Sequence, residues 1–176
     1  MSLRQNQIKP HQFYEMQSWK TYLADEAGTL ALGAALARVL QAGLIIHLHG
    51  ELGAGKTSLT RALLHAAGYA GRVKSPTYTL MEPYTITLHG QAVEVMHFDL
   101  YRMISPEEFI EAGFREYFGS SAICIVEWPE QAGTLLATPD LDIFLNMEGH
   151  GRKVELQANS EQGALCLNHL HFSPNL

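Results

Sequence analysis

Residues 50–57 read GELGAGKT, which fits G-x-x-x-x-G-K-[ST] with Gly50, Gly55, Lys56 and Thr57 in the fixed positions. The apolar run LIIHLH (44–49) precedes this stretch, and SLTRALLHAAG follows it. A buried strand, a glycine-rich turn and a helix opening at Lys56 are therefore expected in that order. Glycines let successive backbone N–H groups converge on phosphate oxygens, and the start of the helix adds its positive end. In such a loop Gly50, Glu51, Leu52, Gly53, Ala54, Gly55 and Ser58 wrap the phosphates. Lys56 meets the β- and γ-phosphates of a nucleoside triphosphate, and the Thr57 hydroxyl binds Mg²⁺.

A phosphate loop of this kind needs a second acid at the end of a buried strand. Asp99 follows EVMHF, and Glu127 follows AICIV, with Trp128 next to it. Carboxylates at the C-terminal ends of parallel strands stand where ligands collect. The residues alone do not say which acid serves the metal and which serves a water. The segment SPTYTL (75–80) carries Thr77 and Thr79 after a proline. Such hydroxyls sense a γ-phosphate in nucleotide-driven switches, although threonine is equally at home entering a strand.

The rest of the chain reads as one α/β domain. Residues 19–23 form a strand, Asp25 caps a helix running towards Gly43, and 44–49 and 122–126 are buried strands. Residues 78–88 and 92–98 alternate about His89 and Gly90 as a hairpin. Ser105, Pro106, Glu107 and Glu108 start a short helix. Residues 141–147 and 153–158 are strands joined through the glycines at 149 and 151, and 165–170 adds a last strand. The expected architecture is a single P-loop domain over 19–176. Its central sheet is mostly parallel, with antiparallel hairpin and C-terminal strands, flanked by helices. Residues 1–18 are polar and form an extension to which no function is assigned.

Composition narrows the function. The chain has 47% hydrophobic and 17% charged residues, a globular balance with no disordered character. Its net charge is −6, so no basic face for unaided nucleic-acid binding is visible. Arg72 with Lys74, and Arg152 with Lys153, are the only short basic groupings outside the loop. Cys124 and Cys166 sit in apolar, strand-like runs and read as reduced, buried thiols of a cytoplasmic protein. No stretch has the apolar length of a membrane span. His47 with His49, and His169 with His171, lie two apart, as plain strand alternation produces. Zinc would need further ligands, and neither pair has one close in sequence.

Four motifs in order carry a resemblance: GELGAGKTSLTRALL, VKSPTYTLMEPY, HFDLYR with PEEFIEAGFREYF, and ICIVEWPE. Together they resemble the bacterial TsaE (YjeE) family over about residues 22–152. The resemblance implies an ATPase subunit, with ATP and Mg²⁺ as cofactors, for threonylcarbamoyladenosine formation in tRNA. Its partners would be the transferase TsaD and its paralogue TsaB, which carry most of the tRNA contact. It further implies that Glu127 is the Mg²⁺-associated acid, Asp99 a second acid near the γ-phosphate, and Thr77 a switch residue. Trp128 would pack at the site, and Tyr22, Asp25 and Arg152 would form the adenine side. Two other readings share the loop: a small-molecule kinase, and a nucleotide-gated interaction module with little hydrolysis. A kinase would need an arginine-rich lid, and no such segment is found. A GTPase would need [NT]-K-x-D, which is missing from the chain.

Overall fold

The structure is a computed structural model that describes residues 17–173. Most of the expected extension at 1–18 lies outside the described residues, and Ser18 already opens the first strand. Seven strands form one sheet: β1 (Ser18–Leu23), β2 (Ile45–His49), β3 (Met81–Leu88), β4 (Gln91–Asp99), β5 (Ile123–Glu127), β6 (Leu141–Glu148) and β7 (Gly151–Ala158). Their order across the sheet is β1-β7-β6-β2-β5-β4-β3. The four central strands β6, β2, β5 and β4 run parallel. Antiparallel β3 closes one side, and β7 and β1 close the other. The mixed sheet expected from the sequence is the one observed.

Four helices flank it: α1 (Glu26–Ala37), α2 (Lys56–Ala66), α3 (Glu107–Glu111) and α4 (Glu161–His169). Alternate residues of each strand supply two cores, because side chains alternate between faces. Ile46, Leu48, Ile123, Ile125, Ile143 and Leu156 meet Leu32, Leu36, Leu59 and Leu63 on one face. On the other face Met96, Phe98, Cys124 and Val126 meet Phe109 and Phe114. The two central strands β2 and β5 are almost wholly buried, as parallel strands covered on both sides must be. No described helix is long and apolar enough to cross a membrane.

Local chemistry accounts for the element ends. Asp25 caps α1, accepting the Gly28 N–H at 3.0 Å. His89 and Gly90 both have positive φ, 50° and 77°, the signature of a type I′ hairpin turn between β3 and β4. The structure also corrects the sequence reading at three places. Residues 165–170 are not a strand: Ser160 caps a helix through the Gly163 N–H at 3.0 Å, so Cys166 and His169 are helical. The alternation in LCLNHL was overridden by the Ser160–Glu161 cap and by docking of Ala164 and Cys166 into the core. Strand β3 starts at Met81 and not at 78, because residues 77–80 turn, with Leu80 at φ 63°. Helix α1 stops at Ala37, well before Gly43.

Candidate functional site

The loop between β2 and α2 is shaped by its glycines. Gly50 has φ 147°, and a Cβ there would run into the Leu145 carbonyl of β6. Gly55 has φ 102° and occupies the cap position of α2 with no capping side chain. The first-turn N–H groups of α2 are thus free of side-chain partners and aimed outward, as an anion site requires. Lys56 folds back over the loop: its ammonium donates to the carbonyls of Gly50 and Glu51, the latter at 3.0 Å. It also lies 3.9 Å from the centre of the Trp128 ring. Burial pushes the Lys56 ammonium below the usual lysine range, while the carboxylates of Glu127 and Asp99 oppose that shift.

Glu127 ends β5, beside β2 in parallel register. Its carboxylate is buried and lies 2.9 and 3.1 Å from the Thr57 hydroxyl, which donates to it. His97, wholly buried on β4, approaches the same carboxylate through Nε2 at 2.8 Å. Asp99 ends β4 directly opposite Glu127. Its Oδ2 accepts from Ser75 Oγ at 2.8 Å and Thr77 Oγ1 at 3.1 Å, and its Oδ1 accepts the Tyr101 N–H at 3.1 Å. Both acids therefore arrive at the C-terminal edge of neighbouring parallel strands and face the start of α2. Two oxygens, Thr57 Oγ1 and the Glu127 carboxylate, already adjoin each other, and that hard-oxygen pair fits a Mg²⁺ ion.

These groups line one cavity of about 360 Å³, walled by Leu52, Gly53, Gly55, Lys56, Thr57 and Ser58 on the loop side. Thr77, Asp99, Glu127 and Trp128 form the opposite wall. Trp128 sits at φ 58°, an unusual value for a large side chain, on the turn that leads out of β5. The remaining loop residues Gly50, Glu51 and Ala54 do not line the cavity. Thr79 points elsewhere, donating to Glu82 at 3.0 Å.

The expected base side is assembled differently. Arg152 on β7 donates to Thr29 Oγ1 at 2.8 Å and presses against Gly55, where a Cβ would stand 3.1 Å from its guanidinium carbon. Tyr22 donates to the Glu148 carbonyl at 3.1 Å and is 43% exposed. The Asp25 carboxylate is engaged as the α1 cap. Of these three only Arg152 adjoins the loop, and none lines the cavity that holds the two acids. Sequence reasoning missed His97, Ser75, Tyr101 and Arg102, of which all but His97 line the cavity. His97 was legible in principle, since it precedes Asp99 by two on one strand and so shares its face.

A strand, a phosphate-wrapping loop and a helix, with an acid at the tip of the neighbouring parallel strand, define a P-loop NTPase fold. The chain belongs to the TsaE family: the family described as threonylcarbamoyl adenosine biosynthesis protein TsaE matches residues 23–154. The tRNA threonylcarbamoyladenosine biosynthesis protein TsaE of Haemophilus influenzae is 41% identical over 84% of this chain and 94% of its own. The protein of the same name from Bacillus subtilis is 31% identical over 74% of this chain and 78% of its own. The crystal structure of YdiB from Bacillus subtilis superposes with a TM-score of 0.73 at 24% identity, covering 89% of this chain and 96% of that one.

Proposed function

We propose that this chain is a Mg²⁺-dependent ATPase serving the cytoplasmic machinery that builds threonylcarbamoyladenosine in tRNA, with TsaB and TsaD as its partner subunits. The observation that carries the reading is the Thr57 hydroxyl lying on the Glu127 carboxylate, 2.9 and 3.1 Å from its two oxygens, at the start of the loop helix. The relatives' part in threonylcarbamoyladenosine biosynthesis supports the pathway, and the geometry of the site supports the chemistry.

In this reading the loop N–H groups and Lys56 hold the triphosphate, and Thr57 with Glu127 holds Mg²⁺. The metal, when bound, neutralises charge on the β- and γ-phosphates. His97 keeps the Glu127 carboxylate turned towards Thr57. Asp99, held by Ser75 and Thr77, orients the attacking water or registers the γ-phosphate, and loss of the phosphate would release the 75–80 segment. Tyr22, Asp25 and Arg152 belong to the base side. The ATPase domain includes β1 from Ser18 onward. With a net charge of −6, tRNA contact falls mainly to the partners.

Lys56→Ala tests the loop. Its ammonium contacts only loop carbonyls and the Trp128 ring, so the fold should survive its loss. Calorimetric titration with a non-hydrolysable ATP analogue should show affinity reduced at least tenfold, and product formation in a reconstituted modification assay should stop. Unchanged affinity together with unchanged turnover would remove the loop from the function. Modification that proceeds unchanged when the chain is omitted from the assay would separate the ATPase from the pathway.

A further inference from the structure

Away from the nucleotide cavity, the open face of β2 and β6 brings together three metal-ligating side chains. His47 and His49 point to one face of β2, and Asp142 stands directly beside His47 on parallel β6. His49 Nε2 lies 2.6 Å from Asp142 Oδ1, and His47 Nδ1 lies 4.0 Å from the same oxygen, beyond hydrogen-bond reach. All three donor atoms fall within 4.8 Å of one another, and among the described residues no other three His, Cys, Asp or Glu gather as closely. The histidine spacing was read from the sequence as strand alternation lacking a third ligand; the fold supplies that ligand from 93 residues further along.

A simple His49–Asp142 hydrogen bond leaves too much unexplained. His47 is 6% exposed, and its Nε2 has no hydrogen-bond partner. The ring's other nitrogen, Nδ1, faces the Asp142 carboxylate at 4.0 Å without bonding to it, a gap that a shared cation would close. Asp142 is also oriented from behind: Asn159 Nδ2 donates to Oδ2 at 2.7 Å, which turns Oδ1 towards the two rings. The His49 ring stacks on Phe144, with centroids 4.5 Å apart and planes at 15°. Such outer contacts are what orient ligands in metal sites.

We propose that His47, His49 and Asp142 form a binding site for a divalent transition-metal cation of the Zn²⁺ class, separate from the Mg²⁺ carried by the nucleotide. Two of three donors are imidazoles, which suit Zn²⁺ and disfavour Mg²⁺ and Ca²⁺. Tetrahedral ligands on Zn²⁺ are separated by about 3.3 Å, a value the observed 2.6 and 4.0 Å spacings bracket. Water would take the fourth position. Since Gly50 follows His49 directly, the cation would tie β2 to β6 at the entrance to the phosphate loop.

The test uses the full-length, untagged chain without nucleotide. Zn²⁺ is titrated in competition with a chromophoric chelator, and Co²⁺ is followed by its visible absorption. The expected result is one Zn²⁺ per chain, a Co²⁺ spectrum of four-coordinate intensity, and a rise in unfolding temperature on adding Zn²⁺. His49→Gln and Asp142→Asn, both at partly exposed positions, should each weaken Zn²⁺ at least tenfold and abolish the thermal shift. Asn159→Ala should weaken it about tenfold through loss of orientation. Circular dichroism in the presence of a chelator establishes that the variants are folded. Absence of stoichiometric binding overturns the proposal. So does undiminished affinity in both His49→Gln and Asp142→Asn, which would assign the metal to histidines elsewhere. Displacement of Zn²⁺ by equimolar Mg²⁺ would overturn it as well.

Discussion

Glu127 is held from two directions, by the Thr57 hydroxyl and by the His97 ring, whereas Asp99 is held by two hydroxyls of the 75–80 segment and one backbone N–H. The difference predicts different failures. Glu127→Ala removes a negative charge from beside a hard cation, so ATP binding should require several-fold more Mg²⁺. Asp99→Ala should leave ADP affinity within about threefold and lower single-turnover hydrolysis at least tenfold, since its loss falls on the transition state. Mg²⁺ titrations and rapid-quench hydrolysis on both variants make the comparison, and equal losses of metal affinity would show that the roles are shared. Lys56, Thr57, Asp99 and Glu127 were legible because each belongs to a contiguous motif. His97 and Ser75 were not singled out, because their importance lies in what they touch across the sheet.

The helix pair α1 and α2 depends on one small residue. A Cβ on Gly33 would stand 2.5 Å from Ala62 Cβ and 2.8 Å from the Leu63 backbone nitrogen. Alanine is the better helix former by about 1 kcal/mol, but a backbone atom of α2 cannot step aside without moving the helix that begins at Lys56. Gly33→Ala should therefore destabilise by about 1–3 kcal/mol in urea unfolding, because overpacking outweighs propensity. It should also weaken ATP binding. Strand β5 offers a second test. Burial pushes the Cys124 thiol up from 9.0 to about 12. A raised thiol pKa favours the folded state below pH 9, and that contribution is lost as pH climbs towards 12. Each unit above 9 should cost about 1.4 kcal/mol through this group. Denaturant midpoints from pH 8 to 11 should fall more steeply for the wild-type chain than for Cys124→Ala. An identical slope would place the alkaline sensitivity elsewhere. At this scale α4 was misread, since its short apolar alternation looks the same as a strand until the Ser160 cap and the core beneath it are seen.

For the molecule as a whole, the parallel centre of the sheet directs both acids to one edge. No [NT]-K-x-D segment exists to read guanine. ATP and ADP should accordingly bind at least tenfold better than GTP and GDP, a difference of about 1.4 kcal/mol. Competition binding with the four nucleotides measures this, and a preference for guanine would overturn the assignment of Tyr22 and Arg152 to the base side.

Signals that act over a few residues were read from the sequence: the glycines of the phosphate loop, the cap at Asp25, the turn at His89 and Gly90, and the acids at strand ends. Each depends on neighbours along the chain, and so composition and spacing determine it. The strand order β6-β2-β5-β4 was decided only in three dimensions. Parallel neighbours are joined by long crossovers, and which strand lies beside which depends on how α1, α2 and α3 cover the two faces. That order sets Glu127 against Thr57, 70 residues away. It also sets Asp142 beside His47 and His49, a meeting that no spacing along the chain encodes.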